Sequence, residues 1–246
     1  MKKYRIVPLP IGTLEVDKSC MMYLTEPGVP ITIPTMSFFI EGGEKNILVD
    51  TGASADVMKK HWAGDVSDVQ SFEEALAKLS LKPEDIDIII QTHLHFDHAG
   101  NSAKCKNAKV IVQEAELRFA LAPHPLFVPN YDLELVKGVK FYPVKGDTEI
   151  VDGIKVISTP GHSPGTQCVA VETAKGTAII VGFCCIQQNF EIEPELQDMI
   201  PSWLVLTPGI HTDSLAAFDS ALKIKGMADL LVPCHEPSLM QMDAIP

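Results

Sequence analysis

Residues 86–100 read IDIIIQTHLHFDHAG, and this stretch decides how the rest of the chain is interpreted. It begins with a short β-branched run, 86–90, which is typical of a buried strand rather than a helix. Within the next eight positions stand three histidines and one aspartate, namely His93, His95, Asp97 and His98. Polar side chains at this density directly after a buried strand are difficult to explain by packing. We therefore predict a metal site at the C-terminal end of this strand.

The spacing of these residues indicates how they bind metal. In an extended segment, side chains two residues apart point to the same side, so His93 and His95 can reach one ion. Asp97 and His98 add an oxygen and a nitrogen ligand in the turn that follows. Imidazole and carboxylate together suit zinc, iron or manganese. Zinc is the first expectation, with iron and manganese as alternatives.

The flanking sequence predicts short strands and helices in alternation. Residues 36–40 and 46–49 read as a hairpin, and Ser71 with Glu74 forms a capping box that predicts a helix over about 71–80. Further strands are expected at 109–112, 155–158, 168–172, 178–182 and 230–232. Further helices are expected near 113–120 and 214–225. This mixture predicts an α/β fold in which two packed sheets are flanked by helices.

One stretch between these elements is irregular. Residues 121–142 contain three prolines together with Phe127, Tyr131, Phe141 and Tyr142. Such a segment forms either part of a pocket wall or an ordinary surface loop, and the sequence leaves both readings open.

Composition limits the classes of partner. The 246 residues are 46% hydrophobic and 21% charged, and no Ser/Gly-rich linker divides them, so we expect 1–246 to fold as a single domain. The formal charge of −12 argues against nucleic acid and against an anionic membrane surface. The opening, MKKYRIVPLP, is not followed by an apolar leader run, and the six scattered cysteines do not resemble a disulfide framework. We therefore expect a cytoplasmic protein that acts on a small molecule.

The segment THLHFDHAG at 92–100 resembles the signature of the metallo-β-lactamase superfamily. Two further marks of that family stand in the expected order, LVDTG at 48–52 and TPGHSPG at 159–165. The resemblance therefore covers nearly the whole chain. It implies an αβ/βα sandwich of two mixed β-sheets flanked by helices.

The resemblance also implies a set of ligands for two divalent metal ions. One ion would be bound by three imidazoles, those of His93, His95 and His162. The other would be bound by a carboxylate and two imidazoles, those of Asp97, His98 and His235. Asp50 would support the site by orienting a ligating histidine rather than by binding metal itself.

The chain departs from the family pattern after the strand at 178–182. Most dinuclear members carry a bridging aspartate in a Gly-Asp pair there, whereas this chain reads Gly182-Phe183-Cys184-Cys185. One subclass of zinc β-lactamases places a ligating cysteine at this strand end, in a Gly-Gly-Cys arrangement that Gly182-Phe183-Cys184 resembles. We therefore expect Cys184 to be a ligand of the second metal. Cys185 is the alternative ligand, and small buried apolar side chains are the alternative role for both.

Within the superfamily the chain is most similar to the N-acyl homoserine lactonases, through residues 4–9, 25–28, 47–52 and 189–191. That similarity implies a hydrolase in which a metal-bound hydroxide opens a lactone or related ester, with Asp97 orienting the nucleophile and moving a proton. The chain lacks the tyrosine that this branch uses shortly after its bridging aspartate, and Ile186 or Gln187 stands at that place. Residues 196–213 carry an insertion, with Trp203 and Pro208, that would reshape the acyl pocket.

Other functions remain open at this stage. A thioester hydrolase of the same fold would use the same chemistry, and a non-catalytic metal-binding or sensing protein would retain the same ligands. A di-iron oxidoreductase is disfavoured because no flavodoxin-like partner domain is recognisable. A homodimer is the default expectation for the assembly.

Overall fold

Two β-sheets dominate the computed structural model, which describes residues 3–246. The first sheet has seven strands in the order β4-β1-β2-β3-β5-β6-β7. Its strands are β1 (Arg5–Asp17), β2 (Pro30–Glu41), β3 (Ile47–Val49), β4 (Val66–Asp68), β5 (Ile88–Ile90), β6 (Lys109–Gln113) and β7 (Phe141–Val144). The second sheet has five strands in the order β12-β11-β10-β9-β8. Its strands are β8 (Thr148–Val151), β9 (Ile154–Ser158), β10 (Gln167–Thr173), β11 (Gly176–Val181) and β12 (Leu230–Pro233).

Both sheets are mixed. The β4-β1-β2-β3 half of the first sheet is antiparallel, and β3, β5, β6 and β7 run parallel to one another. The second sheet is antiparallel except for the parallel pair β11 and β12. Six α-helices within residues 3–246 accompany the sheets: α1 (Ala55–Met58), α2 (Phe72–Ala77), α3 (Phe96–Ala99), α4 (Glu114–Leu121), α5 (Pro194–Met199) and α6 (Ser214–Met227). No helix within residues 3–246 is both long enough and apolar enough to cross a bilayer.

The main hydrophobic core lies between the two sheets. Phe38 and Val49 of the first sheet pack in one buried cluster with Val169 and Ile180 of the second. The outer face of the first sheet packs against α2, and the outer face of the second packs against α6, in two separate clusters. Each sheet is therefore apolar on both faces, which is how a sandwich covered by helices buries its strands. The predicted αβ/βα sandwich is confirmed.

Most predicted elements are present with shifted ends. The hairpin at 36–40 and 46–49 belongs to β2 and β3, and the predicted helix over 71–80 is the shorter α2. The capping box is confirmed, since the Ser71 hydroxyl accepts from the Glu74 N–H while the Glu74 carboxylate accepts from the Ser71 N–H. The later strands and helices correspond to β6, β9–β12, α4 and α6.

Two parts of the chain differ from the prediction. The irregular stretch at 121–142 ends early, because Phe141 and Tyr142 pair with β6 as part of β7. The 13-residue strand β1 was not predicted. Pro8, Pro10 and Gly12 obscure its pattern, yet the prolines fit because β4 pairs only with residues 12–14 and leaves this part of β1 at the sheet edge. Residues 1–2 of the opening considered for a leader lie outside the described range.

Candidate metal centre

The predicted ligands come together at one edge of the sandwich, where strands of both sheets end. His93 and His95 follow β5, and α3 begins immediately afterwards with Phe96. His162 follows β9, and His235 follows β12. All of the predicted histidine ligands are buried.

Three imidazoles form a first cluster. One nitrogen from each of His93, His95 and His162 lies within 4.8 Å of the other two. The Nε2 atoms of His93 and His162 are 3.2 Å apart. Two nitrogens bound to one tetrahedral zinc at 2.0–2.1 Å would be about 3.3 Å apart. The cluster therefore has the dimensions of a metal site.

A second group of ligands lies beside the first. The Nε2 atoms of His98 and His235 are 3.3 Å apart. An Asp97 carboxylate oxygen lies 3.4 Å from the His98 Nε2 atom and 3.7 Å from the His235 Nε2 atom. The rings of His93 and His98 have centroids only 4.0 Å apart, so the two groups adjoin. The arrangement provides two neighbouring positions for cations.

Hydrogen bonds at the opposite ring nitrogens determine which nitrogens face the centre. The Nδ1–H groups of His162 and His235 donate to the carbonyl oxygens of Ile210 and Pro34, at 2.6 Å and 3.0 Å. The Nδ1–H group of His98 donates to the Asp50 carboxylate at 2.8 Å. In neutral rings these bonds leave Nε2 unprotonated and facing the centre, as metal binding requires.

The first cluster therefore contains lone pairs that only a cation satisfies. The Thr92 hydroxyl donates to Asp50 at 2.7 Å, so its oxygen accepts from the His93 Nδ1–H group at 3.1 Å. The Nε2 atoms of His93 and His162 thus face each other as two acceptors. The Nε2 atom of His95 is fully buried and has no hydrogen-bond partner among the described residues. These donors fit a bound divalent metal.

Electrostatics keeps the first cluster in its ligand form. Burial, followed by the neighbouring imidazoles, lowers the pKa values of His93 and His95 well below their ordinary value. Burial also lowers the pKa of His162, to about 4. His98 differs, because Asp97 and Asp50 outweigh the effect of burial and raise its pKa to about 8. A neutral imidazole is the form that binds metal, so the first cluster is prepared for it at neutral pH.

Asp50 connects both groups, as the resemblance implied. It stands directly after β3 in a left-handed conformation with φ of 54°. Its carboxylate accepts from the Thr92 N–H at 2.7 Å, from the Gln91 amide at 3.0 Å and from His98. The expected contact is therefore present, since Asp50 orients the imidazole of His98, one of the predicted ligands.

The cysteines are distributed differently from the histidines. A side chain at Gly182 would lie 2.2 Å from the Gln167 carbonyl oxygen, and Phe183 packs in the α6 cluster, so Cys184 is the first residue after β11 to line the cavity. Its thiol lies 3.4 Å from the Cys20 carbonyl oxygen. Burial raises its pKa well above the ordinary value, and Asp97 raises it further. Cys185 packs away from the cavity, in the same cluster as Phe183.

Cys234 is the cysteine that lies nearest the second group of ligands. Potential ligand atoms of His98, Cys234 and His235 all lie within 4.8 Å of one another. The Cys234 thiol also lies 3.5 Å from the Phe183 carbonyl oxygen. Sequence analysis did not select Cys234 as a ligand, although its position directly before His235 was the available signal.

A buried carboxylate was also missed. Glu116 on α4 is fully buried and accepts from the Leu94 N–H at 2.9 Å and from the Tyr131 hydroxyl at 3.0 Å, as well as from the Ser163 hydroxyl. It therefore ties the His93–His95 segment to the loop that carries His162. Burial raises its pKa, and the hydrogen bonds oppose that shift.

Most of the predicted metal ligands line a cavity. Asp97, Cys184 and four histidines of the centre line it together with an apolar wall formed by Leu14, Val16, Met21, Ile33, Trp62 and Phe96. The cavity and its open mouth enclose about 560 Å³.

The remaining predictions about the cavity have mixed outcomes. Pro129 and Asn130 line the cavity, so part of the 121–142 stretch is a pocket wall. Of the insertion at 196–213, Ile210 lines the cavity, while Trp203 packs against the hydrophobic cluster that contains most of the apolar wall. Two histidines outside the predicted ligand set differ in position, since His61 lines the cavity and His124 is exposed.

Adjoining imidazole groups that open into an apolar cavity, on a helix-covered sandwich, define the class of metal-dependent hydrolases with a dinuclear centre. The family model of the metallo-beta-lactamase superfamily matches residues 31–182, which is more than half of the chain. The chain belongs to this superfamily and is a metal-dependent hydrolase with a site for two divalent metal ions.

Individual relatives share both sequence and fold with this chain. An N-acyl homoserine lactonase from a Bacillus species is 31% identical, over 75% of this chain and 78% of the relative. A crystal structure of a quorum-quenching N-acyl homoserine lactone lactonase superposes with a TM-score of 0.80 at 25% identity, covering 98% of this chain and 95% of the other. AidC, a dizinc quorum-quenching lactonase, shares the fold, with a TM-score of 0.67 at 18% identity and coverage of 99% and 90%.

Proposed function

We propose that this protein opens the ring of N-acyl homoserine lactones. The observation that carries the proposal is the pair of adjoining metal-ligand groups at the end of an apolar cavity. The similar Bacillus protein is named an N-acyl homoserine lactonase, and this supports the same substrate class for the present protein. The apolar wall suits the acyl chain of such a substrate, and the polar end suits its lactone ring.

The proposed ligands follow the two groups. His93, His95 and His162 bind one metal, and Asp97, His98 and His235 bind the other, with zinc as the proposed ion. When bound, the two ions lower the pKa of a coordinated water and polarise the lactone carbonyl. The Asp97 carboxylate, which lines the cavity between His98 and His235, orients the nucleophile and carries a proton to the leaving alcohol.

Cys184 is the proposed thiolate ligand of the second metal. Cys184 lines the cavity together with Asp97 and His235, which supports that role. A coordinated thiol is deprotonated even where burial alone raises its pKa, because the ion supplies the compensating charge. Cys234 competes for the role, since its thiol already lies close to His98 and His235.

The lactonase proposal does not depend on the tyrosine found in the related branch. Ile186 stands near the equivalent place and is buried in the hydrophobic cluster beside the cavity. The leaving alkoxide must therefore take its proton from Asp97 or from solvent.

The cysteines at 20, 105, 168, 184, 185 and 234 are free thiols, which supports our further proposal that the protein resides in the cytoplasm.

Hydrolysis of N-hexanoyl homoserine lactone by the zinc-reconstituted protein tests the function, with a thioester of equal chain length assayed in parallel. We expect lactone opening that is abolished in His95→Ala. Thioester cleavage without lactone opening would transfer the activity to the alternative substrate class. Full metal occupancy with no turnover of either substrate would favour a metal-binding or sensing protein instead.

Elemental analysis of three variants tests the thiolate ligand. We expect Cys184→Ala to retain about one metal per chain, while Cys185→Ala retains two, because the Cys185 side chain packs away from the cavity. If Cys234→Ala loses a metal ion and Cys184→Ala does not, Cys234 is the thiolate ligand.

A further inference from the structure

The cavity wall carries a polar pair that the metal centre does not use. The Nε2–H group of His61 donates to the Asp132 carboxylate over 3.1 Å. His61 lines the same cavity as Asp97 and His235, although it follows α1 rather than one of the ligand-bearing strands. Both members of the pair are largely buried, with side chains 14% and 20% exposed, so their hydrogen bond is only partly screened by solvent.

The His61 ring is held in place from several directions. It stacks on the Phe96 ring with centroids 4.9 Å apart and planes 19° apart. Its backbone N–H donates to the Met58 carbonyl oxygen in the turn that ends α1. The other Asp132 carboxylate oxygen accepts from the Glu134 N–H at 3.0 Å, which fixes the carboxylate as well. The imidazole is therefore preorganised rather than free to rotate.

The partner of Nε2 determines what the other ring nitrogen offers. An ionised carboxylate only accepts hydrogen bonds, so Nε2 carries the proton, and Nδ1 of the neutral ring is an acceptor. Nδ1 makes no hydrogen bond to any residue from 3 to 246, and it is not among the fully buried unpaired atoms. An acceptor accessible to solvent therefore stands on a wall that is otherwise mainly apolar.

We propose that His61, positioned by Asp132, accepts a hydrogen bond from the amide N–H of an N-acyl lactone. The inference rests on the proposed function and names the substrate group that is recognised. In such a substrate the amide lies between the lactone ring and the acyl chain. His61 lines the same cavity and stacks on Phe96, which belongs to the apolar wall and directly precedes Asp97 in the chain. The Trp62 indole is unavailable for this role, since it donates to the Glu15 carbonyl oxygen.

Two substrates, one with the amide and one without it, distinguish a loss of amide recognition from a general loss of activity. We would compare kcat/KM for N-hexanoyl homoserine lactone and for a γ-alkyl lactone of equal chain length that lacks the amide. His61→Phe preserves an aromatic ring beside Phe96 and should lower kcat/KM about tenfold for the amide substrate only, as expected for one lost hydrogen bond. His124→Phe, at an exposed histidine, is the matched control and should change neither value. Equal losses for both substrates, or no loss for either, would overturn the inference.

Asp132→Asn tests the positioning role separately. The asparagine amide can donate to Nε2, which moves the imidazole proton to Nδ1 and removes the acceptor. We expect a several-fold higher KM for the amide substrate with little change in kcat, and rescue by Asp132→Glu in part. A fall in kcat at unchanged KM would contradict this role.

Binding measurements keep the inference independent of turnover. Calorimetry would compare the zinc-loaded wild-type protein and His61→Phe for affinity to ring-opened N-hexanoyl homoserine. About tenfold weaker binding by the variant supports amide recognition even if the wild-type protein opens no lactone, a result that would refute only the proposed function. Equal affinities would overturn the inference whatever the activity.

Discussion

At the scale of single residues, the hydrogen bonds of the Nδ1–H groups explain why the clustered histidines are suited to bind metal through Nε2. Thr92, Ile210 and Pro34 take the Nδ1–H groups of three imidazoles, so the Nε2 lone pairs converge without donors between them. Bringing such atoms together costs free energy in the metal-free protein. Metal binding removes that cost, and it should therefore stabilise the fold as well as provide the chemistry.

Asp97 has the most direct test among the single residues. Asp97→Asn should keep the fold, because the side chain lines the cavity and is not part of the core. Turnover should fall by about 10²–10⁴-fold, since an amide cannot take up or deliver the proton. The measurement is kcat on the lactone at matched metal content, together with the unfolding midpoint. Asp56→Asn, at an exposed position of α1, is the control. Near-normal turnover in Asp97→Asn would remove its assigned role.

How far the site could be predicted depends on where its residues lie along the chain. His93, His95 and His98 stand close together after one strand, so their spacing alone indicated metal. Glu116 could not be recognised in the same way, because its partners Leu94 and Ser163 lie 22 and 47 residues away and meet it only in the folded chain. The sequence does not single out His61 either, because its partner Asp132 is 71 residues distant.

At the scale of elements, local signals predicted what local interactions determine. The capping box of α2 and the β-branched run of β5 each lie within a few residues, and both elements are present. The long β1 was missed because its pairing with β2, from Arg5 with Glu41 to Asp17 with Pro30, is set by the sheet and not by its own proline-containing sequence. The short β7 was missed for the same reason, since β6 supplies its only partner.

The α2 cap should contribute measurably to stability. Ser71→Ala removes the acceptor of the Glu74 N–H, and Ser71 also donates its hydroxyl to the Glu74 carboxylate. We expect a loss of about 1 kcal/mol in the free energy of unfolding, measured by urea denaturation. Ser67→Ala at an exposed position of β4 is the matched control. A change below about 0.3 kcal/mol in Ser71→Ala would show that tertiary packing of Phe72 and Leu76 alone holds the helix.

At the scale of the whole molecule, the site joins the two halves of the sandwich. His93, His95 and His98 follow the first sheet, whereas His162, Cys184 and His235 follow the second. Metal ions bound between them therefore connect the sheets at the edge where the main core ends. In the metal-free protein, the free energy of unfolding should therefore depend on the protonation of these imidazoles.

The metal-free protein should lose stability as pH falls below about 6.5. In the unfolded chain the histidines bind protons below that value. In the folded chain burial lowers the pKa values of four of them, that of His162 to about 4; the four are His93, His95, His162 and His235. The unfolded state therefore binds more protons, and each histidine contributes a slope of up to about 1.4 kcal/mol per pH unit. His98 acts oppositely and at higher pH, because its pKa is raised to about 8 and its stabilisation is lost as pH rises through that value.

Urea midpoints of chelator-treated protein between pH 8 and pH 5 would measure this dependence. Stability should be greatest near neutral pH and should fall towards pH 5, before most carboxylates begin to titrate. His162→Asn should reduce the slope, because one of the four buried histidines whose pKa is lowered is removed. His124→Gln should leave the slope unchanged, since His124 is exposed. A flat midpoint from pH 7 to pH 5 would mean that these imidazoles take up protons in the folded protein as readily as in the unfolded chain. Burial would then not lower their pKa values.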